Sequence, residues 1–392
     1  MPNNYFITQL LEIKDIIVEN IKNSYDETHI YFKLQRKSHS CPNCGTVTDK
    51  IHDYRTSIIK DLPFMGRKTL LHYKKRRYVC PCCNKRFYET FGLTPKHFRT
   101  TTRLALYSLN ELKFRQSIKS VAQHLGLSVS TVSRVVKHLN FSAPKQLPEV
   151  LSIDEFKGNA GGEKFQAIIT DPKKHILIDI MPSRTQVSLK SYFLKYKNRK
   201  VTKYFVMDMN KAYRTIAEEL FPNATIVVDK FHVIRYANWA LENVRKRVQK
   251  NLPKQKRIYF KRSRWLLLSK RSNLNEENLT ALEVLLSQSK DLGIAYHLKE
   301  LFYEFMQSKN RTEAAKRLKR FTMVAYSSEL KEFDACLTMI RNWSTYILNA
   351  FDCKYTNGYT EGTNNAIKVI KRNAFGFRNF NNFRNRIFLS LT

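Results

Sequence analysis

The sequence predicts a multidomain protein of mixed α+β and α/β class. A small cysteine-bearing module and a helical hairpin precede a mixed sheet, which an all-helical block follows. Three observations predict this. Two Cys-x-x-Cys pairs, Cys41/Cys44 and Cys80/Cys83, lie near the N-terminus. Short apolar runs with turn signals crowd residues 149–234. Residues 235–350 repeat apolar positions at helical spacing, as at Leu282, Leu285 and Leu286.

In chain order, residues 1–40 read as an N-terminal hairpin region. Ile16-Ile17-Val18 and His29-Ile30-Tyr31-Phe32 flank the polar turn Asn23-Ser24-Tyr25-Asp26. Residues 41–98 hold the cysteine pairs. A two-residue gap lets both thiolates of a pair face one tetrahedral zinc ion, so Cys41, Cys44, Cys80 and Cys83 make a closed structural site. Residues 58–78 are the expected hairpin between the pairs, and Cys82 is a spare. Residues 99–143 predict a helix-turn-helix. Val121, Ala122 and Leu125 form one apolar face, Gly126 permits the turn and Ser128 caps the second helix. Ser130, Thr131, Ser133, Arg134 and Lys137 stay polar, as a helix entering the major groove requires. The ordinary reading is a plain helical hairpin.

Strands resume at 149. Val150-Leu151-Ser152-Ile153 runs into Asp154, and Asp171-Pro172-Lys173-Lys174 marks a turn between two further strands. A helix over 188–196 precedes the run 204–207, which ends on Asp208; another helix precedes Ile226-Val227-Val228, which ends on Asp229. Three consecutive strands followed by helix, strand, helix, strand predict a mixed sheet. If the first and fourth strands are neighbours, Asp154 and Asp208 meet at one sheet edge, where two carboxylates suit Mg²⁺. A third acid, Glu361, lies in residues 351–392. Helical spacing puts Glu361, Asn365, Lys368 and Arg372 on one face, opposite Ile367 and Ile370. Spacing alone reads Glu361 equally well as a first-turn glutamate favoured by the helix dipole. Glu155 should face away from Asp154 and is a poor ligand. Core packing is the expectation for the aromatic tail 375–388, and for Trp239, Trp265 and Trp343. Arg378, Arg384 and Arg386 remain candidates for phosphate contact.

The charge balance points to a polyanion. The 392 residues include 69 Lys and Arg against 33 Asp and Glu, a formal net charge of +36. Such an excess is self-repelling unless a partner such as nucleic acid neutralises it. No apolar run approaches the roughly twenty residues that span a bilayer, and the N-terminus lacks a signal-peptide pattern. Five of the seven cysteines cluster between Cys41 and Cys83, which favours metal in a reducing compartment over disulfides.

Several stretches together resemble the insertion-sequence transposases of the ISL-three family. They are Leu151-Ser-Ile-Asp-Glu-Phe-Lys-Gly158, Asp208-Met-Asn-Lys-Ala-Tyr213, Phe221-Pro-Asn-Ala, Val228-Asp-Lys-Phe-His-Val233, Tyr359-Thr-Glu-Gly-Thr-Asn-Asn-Ala-Ile-Lys368 and Gly376-Phe-Arg-Asn-Phe380. The resemblance spans nearly the whole chain. It implies a zinc ribbon, a helix-turn-helix and a ribonuclease H-like catalytic domain of the DDE type, split into 149–234 and 351–392 by the helical insertion 235–350. It implies that Asp154, Asp208 and Glu361 bind catalytic Mg²⁺ or Mn²⁺, with Asp229 and His232 beside them. Strand counting leaves Asp229 as the rival second acid. The implied partners are double-stranded DNA, both terminal inverted repeats and target, and further copies of the chain assembled on it. The implied setting is a bacterial cytoplasm, at the nucleoid. A non-catalytic DNA-binding regulator and a nuclease or resolvase on the same fold are the competing functions.

Overall fold

The structure, a computed structural model, describes residues 15–90, 92–95, 98–250 and 252–392. The start of the expected region 1–40 lies outside the described residues. The chain divides into two compact units: Met1–Phe141 with Val369–Thr392, and Ser142–Lys368.

In the first unit, β1 (Ile16–Asn23) and β2 (Glu27–Leu34) form the expected antiparallel hairpin. Two short strands, β3 (His39–Ser40) and β4 (Val47–Thr48), pair beside the first cysteine knuckle. The long β5 (Ile51–Phe64) and β6 (Arg67–Val79) turn through Met65-Gly66, both at positive φ (50° and 76°). A two-residue connection with φ > 0 at both positions matches the strands' right-handed twist. The strand order is β1-β2-β6-β5, with β7 (Arg86–Tyr88) also on β6. Because β2 runs parallel to β6, the N-terminal hairpin and the hairpin between the cysteine pairs are one sheet. Alternation puts Ile16, Val18, Ile30, Phe32, Ile59, Leu71 and Tyr73 in a single core.

Three helices follow: α1 (Thr102–Lys113), α2 (Ile118–His124) and α3 (Val129–Lys137). Side chains cap all three, with Thr101, Ser117 and Ser128 accepting from the N–H of Leu104, Ser120 and Thr131. Leu104, Leu112, Val121, Leu125, Val132 and Val136 fill the space between them. The C-terminal helix, Phe380–Leu391, packs on this trio and adds Leu389 to its core. That changes the reading of its arginines. Arg386 is 2% exposed and donates to the carbonyls of Leu112 and, at 2.7 Å, Gln116. Arg384 donates to the carbonyl of Phe141 at 2.7 Å. Both bond backbone carbonyls inside the unit, Arg386 at the end of α1 and Arg384 beyond α3, and Arg386 is too buried to meet a phosphate. Phe375, expected in the core, is 96% exposed.

The second unit is built on a five-stranded sheet of order β10-β9-β8-β11-β12. Its strands are β8 (Val150–Phe156), β9 (Gln166–Asp171), β10 (Ile176–Met181), β11 (Tyr204–Met207) and β12 (Thr225–Val228). The first three form an antiparallel meander; β8, β11 and β12 run parallel. Helices α4 (Gln186–Phe193) and α5 (Lys211–Leu220) connect them, and α6 (Lys230–Lys250) leaves β12. The helical block continues as α7 (Lys254–Arg262), α8 (Arg264–Leu268), α9 (Glu276–Leu286), α10 (Lys290–Met306), α11 (Arg311–Ser327) and α12 (Asp334–Asn349). Its core, with Leu282, Phe302, Phe321 and Trp343, is continuous with Phe205, Met207 and Val228 of the sheet. Asn349 donates to the carbonyl of Ile226 at 2.8 Å, so α12 covers the edge strand β12. Trp343 is buried as expected, but Trp239 and Trp265 are 50% and 51% exposed. Last comes α13 (Gly358–Asn373). No helix among the described residues is long and apolar enough to cross a membrane.

Candidate active site and structural metal centre

Register places the acids. Met207 pairs with Ile153 on one side and with Val228 on the other. The next residue on each chain is an aspartate, so Asp154, Asp208 and Asp229 stand level at one sheet edge. β8 continues two residues past Asp154 to Phe156, whereas β11 and β12 stop just before their acids. A cavity of about 380 Å³ opens there, lined by Asp154, Glu155, Asp208, His232, Glu361, Asn364, Asn365 and Lys368. Residues far apart in sequence thus share one wall, and α13 supplies half of it.

The electrostatics are those of a site short of positive charge. Burial, then the Asp208 carboxylate, pushes Asp154 up to about 7. Burial raises Asp229, and burial followed by Asp229 raises Glu361. His232 Nδ1 lies 3.2 Å from Asp208 Oδ1, and this contact raises the imidazole above its ordinary range. Asp208, Asp229 and His232 each offer a ligand atom within 4.8 Å of the others. Asp229 also caps α6, its Oδ1 accepting from Phe231 N–H at 2.9 Å. A divalent cation is what such a cluster of oxygen ligands fits.

Glu155 lines the cavity but is already engaged. Arg184 forms an ion pair with its carboxylate and the Tyr213 hydroxyl donates to it at 3.3 Å. An adjoining cavity of about 300 Å³ runs from Asp208 and His232 past Arg235 and Tyr236 to the exposed Trp239. Lys368 donates to Asn365 Oδ1 at 3.2 Å, and both line the acid cavity with Glu361. Arg372, expected on the same face, is exposed and belongs to the other unit.

The sequence reading missed two asparagines. Asn364 Nδ2 donates to Asp154 Oδ2 at 2.7 Å, and Asn357 Nδ2 donates to Asp208 Oδ1 at 3.3 Å. The signal was the polar run Thr356-Asn-Gly-Tyr-Thr-Glu-Gly-Thr-Asn-Asn365 at the head of an otherwise amphipathic helix.

In the first unit, Cys41, Cys44, Cys80 and Cys83 converge, with Sγ separations of 3.6 Å (Cys41–Cys83) and 3.5 Å (Cys44–Cys80). A zinc ion with Zn–S bonds of about 2.3 Å needs tetrahedral edges of about 3.8 Å, so the thiols fit it. The two knuckles match. Gly45 N–H donates to Cys41 O, Asn84 N–H donates to Cys80 O, and both donors sit at positive φ. Hydrogen bonds from Thr46 hold the Cys44 thiol down at about 6, which favours the thiolate a metal requires. Cys82 is exposed and outside the cluster.

On α3, Ser130, Arg134 and Lys137 are exposed and Thr131 and Ser133 are half-buried. The hydroxyls of Ser130 and Thr131 contact Ser128 at 3.0 and 2.8 Å, and the Arg134 guanidinium lies 5.6 Å from the Phe98 ring centroid.

Sequence comparison places the chain among known proteins. A family model described as "Transposase" matches residues 151–387. One described as "zinc-finger of transposase IS204/IS1001/IS1096/IS1165" matches residues 37–83, and "Helix-turn-helix domain of transposase family ISL3" matches residues 89–140. Among curated relatives, the transposase for insertion sequence element IS1001 of Bordetella parapertussis is 27% identical over 359 residues, covering 89% of this chain and 88% of that protein. A protein named "ATP-dependent protease" from Lactococcus lactis subsp. lactis is 33% identical over 120 residues, 29% of this chain and 36% of its own. That match is too short to carry an argument.

Proposed function

Because the chain belongs to the ISL3 family of transposases, we propose that Asp154, Asp208 and Glu361 are the carboxylates through which it cleaves DNA at element ends and joins the freed 3′-hydroxyls to target DNA. One observation carries this reading: the register of β8 and β11 sets two carboxylates side by side in a cavity that α13 completes with a third. The strand order supports reading the sheet as ribonuclease H-like, interrupted by the helical insertion. A pair of Mg²⁺ or Mn²⁺ ions held there would activate the attacking oxygen and stabilise the leaving one. The residues do the rest. The three acids would hold the ions, whose charge would let an anionic phosphate lie against three carboxylates. Arg184 neutralises Glu155, which keeps that carboxylate from competing for cations. Lys368, on the cavity wall, meets a phosphate as it enters.

Binding precedes chemistry. Ser130, Ser133, Arg134 and Lys137 on α3 would read the terminal inverted repeats in the major groove, with Thr131 fixing the start of the helix. Arg372 would add a phosphate contact. Two ends and a target imply more than one copy on the DNA.

A second reading exchanges Asp208 for Asp229. The three-way proximity of Asp208, Asp229 and His232 favours it. Against it, Asp229 already caps α6.

The test uses the whole chain and a duplex carrying the element's own end. Asp154→Asn, Asp208→Asn and Glu361→Gln should each lower Mg²⁺-dependent cleavage about 10³-fold, the scale on which loss of one preorganised electrostatic group is felt. Binding of that duplex in EDTA should not change. Asp229→Asn should retain measurable cleavage. Full cleavage by Asp208→Asn with none by Asp229→Asn transfers the role to Asp229. Undiminished cleavage by all three acid variants ends the proposal.

A further inference from the structure

The two asparagines of the last helix are part of a directed hydrogen-bond system. Asn357 just precedes α13 and is fully buried; Asn364 lies two turns on and is 6% exposed. Between them Thr360, also fully buried, accepts from or donates to Thr170 Oγ1 at 2.8 Å and donates to Ser152 Oγ at 3.0 Å. Ser152 Oγ donates to Asn357 Oδ1 at 2.6 Å, and Asn357 Nδ2 reaches Asp208. A hydroxyl has one proton. Since Thr360 gives its proton to Ser152, Thr170 must donate to Thr360. The chain therefore has a single direction: Thr170, Thr360, Ser152, Asn357, then the Asp208 carboxylate. Each link polarises the next, and the last delivers an N–H to the acid.

Asn364 does the same for Asp154 by a separate route. Its N–H bond to Asp154 at 2.7 Å leaves its own Oδ1 buried with no hydrogen-bond partner among the described residues. An unpaired buried carbonyl is a cost to the fold. Reversing the amide would place that oxygen against the carboxylate, so the bond to Asp154 dictates the orientation.

Geometry explains why one helix can hold both acids. Ser152 and Asp154 lie two residues apart on one face of β8, about 6.7 Å. Thr360 and Asn364 lie one helical turn apart on α13, about 6 Å. The two spacings match, so docking of Thr360 on Ser152 sets Asn364 on Asp154.

We propose that Asn357 and Asn364 are positioning residues that aim the Asp208 and Asp154 carboxylates at a shared divalent cation, so that α13 sets the geometry of all three acids. This rests on the carboxylate reading above and extends it to residues that act through the carboxylates. Hydrogen-bond partners of ligating carboxylates cost 10–100-fold in metal affinity when removed.

The experiment is Mn²⁺ binding to the intact, DNA-free chain, followed by electron paramagnetic resonance, with thermal melting as the folding control. Asn364→Ala and Asn357→Ala should each raise the Mn²⁺ dissociation constant 10–100-fold. Thr360→Val, which keeps the shape but removes the hydroxyl, should weaken binding in the same direction; Thr360→Ser, which restores it, should recover at least half of the loss. A purely structural role would lower the melting temperature in these variants without moving the Mn²⁺ constant, and that result overturns the proposal. So does equal Mn²⁺ affinity in Thr360→Val and Thr360→Ser, the arm that remains if the asparagine variants do not fold. Wild type that binds no Mn²⁺ defeats this proposal and the carboxylate reading together. Wild type that binds Mn²⁺ beside unaffected folded variants defeats this one alone.

Discussion

Asp154 shows how single residues set the behaviour of the site. Its pKa of about 7 lies well above the ordinary carboxylate value, so the fold prefers it protonated. The sign follows. In metal-free protein this proton's contribution is fully present below about pH 4 and is lost as pH rises through 7. A cation must displace the proton, so its affinity climbs with pH in the same window. Mn²⁺ affinity should rise about tenfold per unit from pH 5 to 7 and level off above; a flat profile across that range contradicts the assignment. Arg386 supplies a second residue-scale test. Arg386→Ala removes a buried side chain and the donor to the Gln116 carbonyl, and should destabilise the first unit by about 2–5 kcal/mol in a denaturant titration. These two residues differ in how readable they were. An apolar run ending in aspartate announces an acid at a strand end. In the tail, arginines alternating with aromatic rings look the same in sequence whether they face phosphate or buried carbonyls. The asparagines at 357 and 364 lie in a polar run that marks the helix head but does not say which carboxamide docks against an acid.

At the scale of elements, the cysteine knuckles and the capped helices were legible because each is local. Cys-x-x-Cys, Gly126 and Ser128 specify their geometry within a few residues. Sheet assembly is not local. Nothing in residues 27–34 states that β2 will lie parallel to β6, some forty residues on. The zinc assignment predicts about one zinc per chain by elemental analysis. Cys44→Ser should abolish it and Cys82→Ser should retain it; loss with Cys82→Ser would show that the spare thiol is a ligand. On α3, Arg134→Ala should weaken binding to the terminal repeat by about 1–3 kcal/mol while sparing non-specific DNA. An equal loss on both DNAs would move Arg134 from base reading to phosphate contact.

For the molecule as a whole, the net charge of +36 and the acid cavity are complementary features. A strongly basic chain gathers phosphate, while the cavity proposed as the site of reaction is lined by carboxylates. Binding should be steeply salt-dependent, and Arg372→Gln, which removes the proposed phosphate contact, should flatten the slope of log K against log salt by about one unit. The helical block separates Asp208 from Glu361 by some 150 residues, so only the folded unit brings them to one cavity. The central claim is that Asp154, Asp208 and Glu361 address the same ions. The most direct measurement is the location of Mn²⁺ by anomalous scattering in crystals of the chain bound to its terminal DNA. The account predicts Mn²⁺ within coordination distance of carboxylate oxygens of all three. Mn²⁺ seated on Asp229 and His232, with Asp154 unligated, would contradict it.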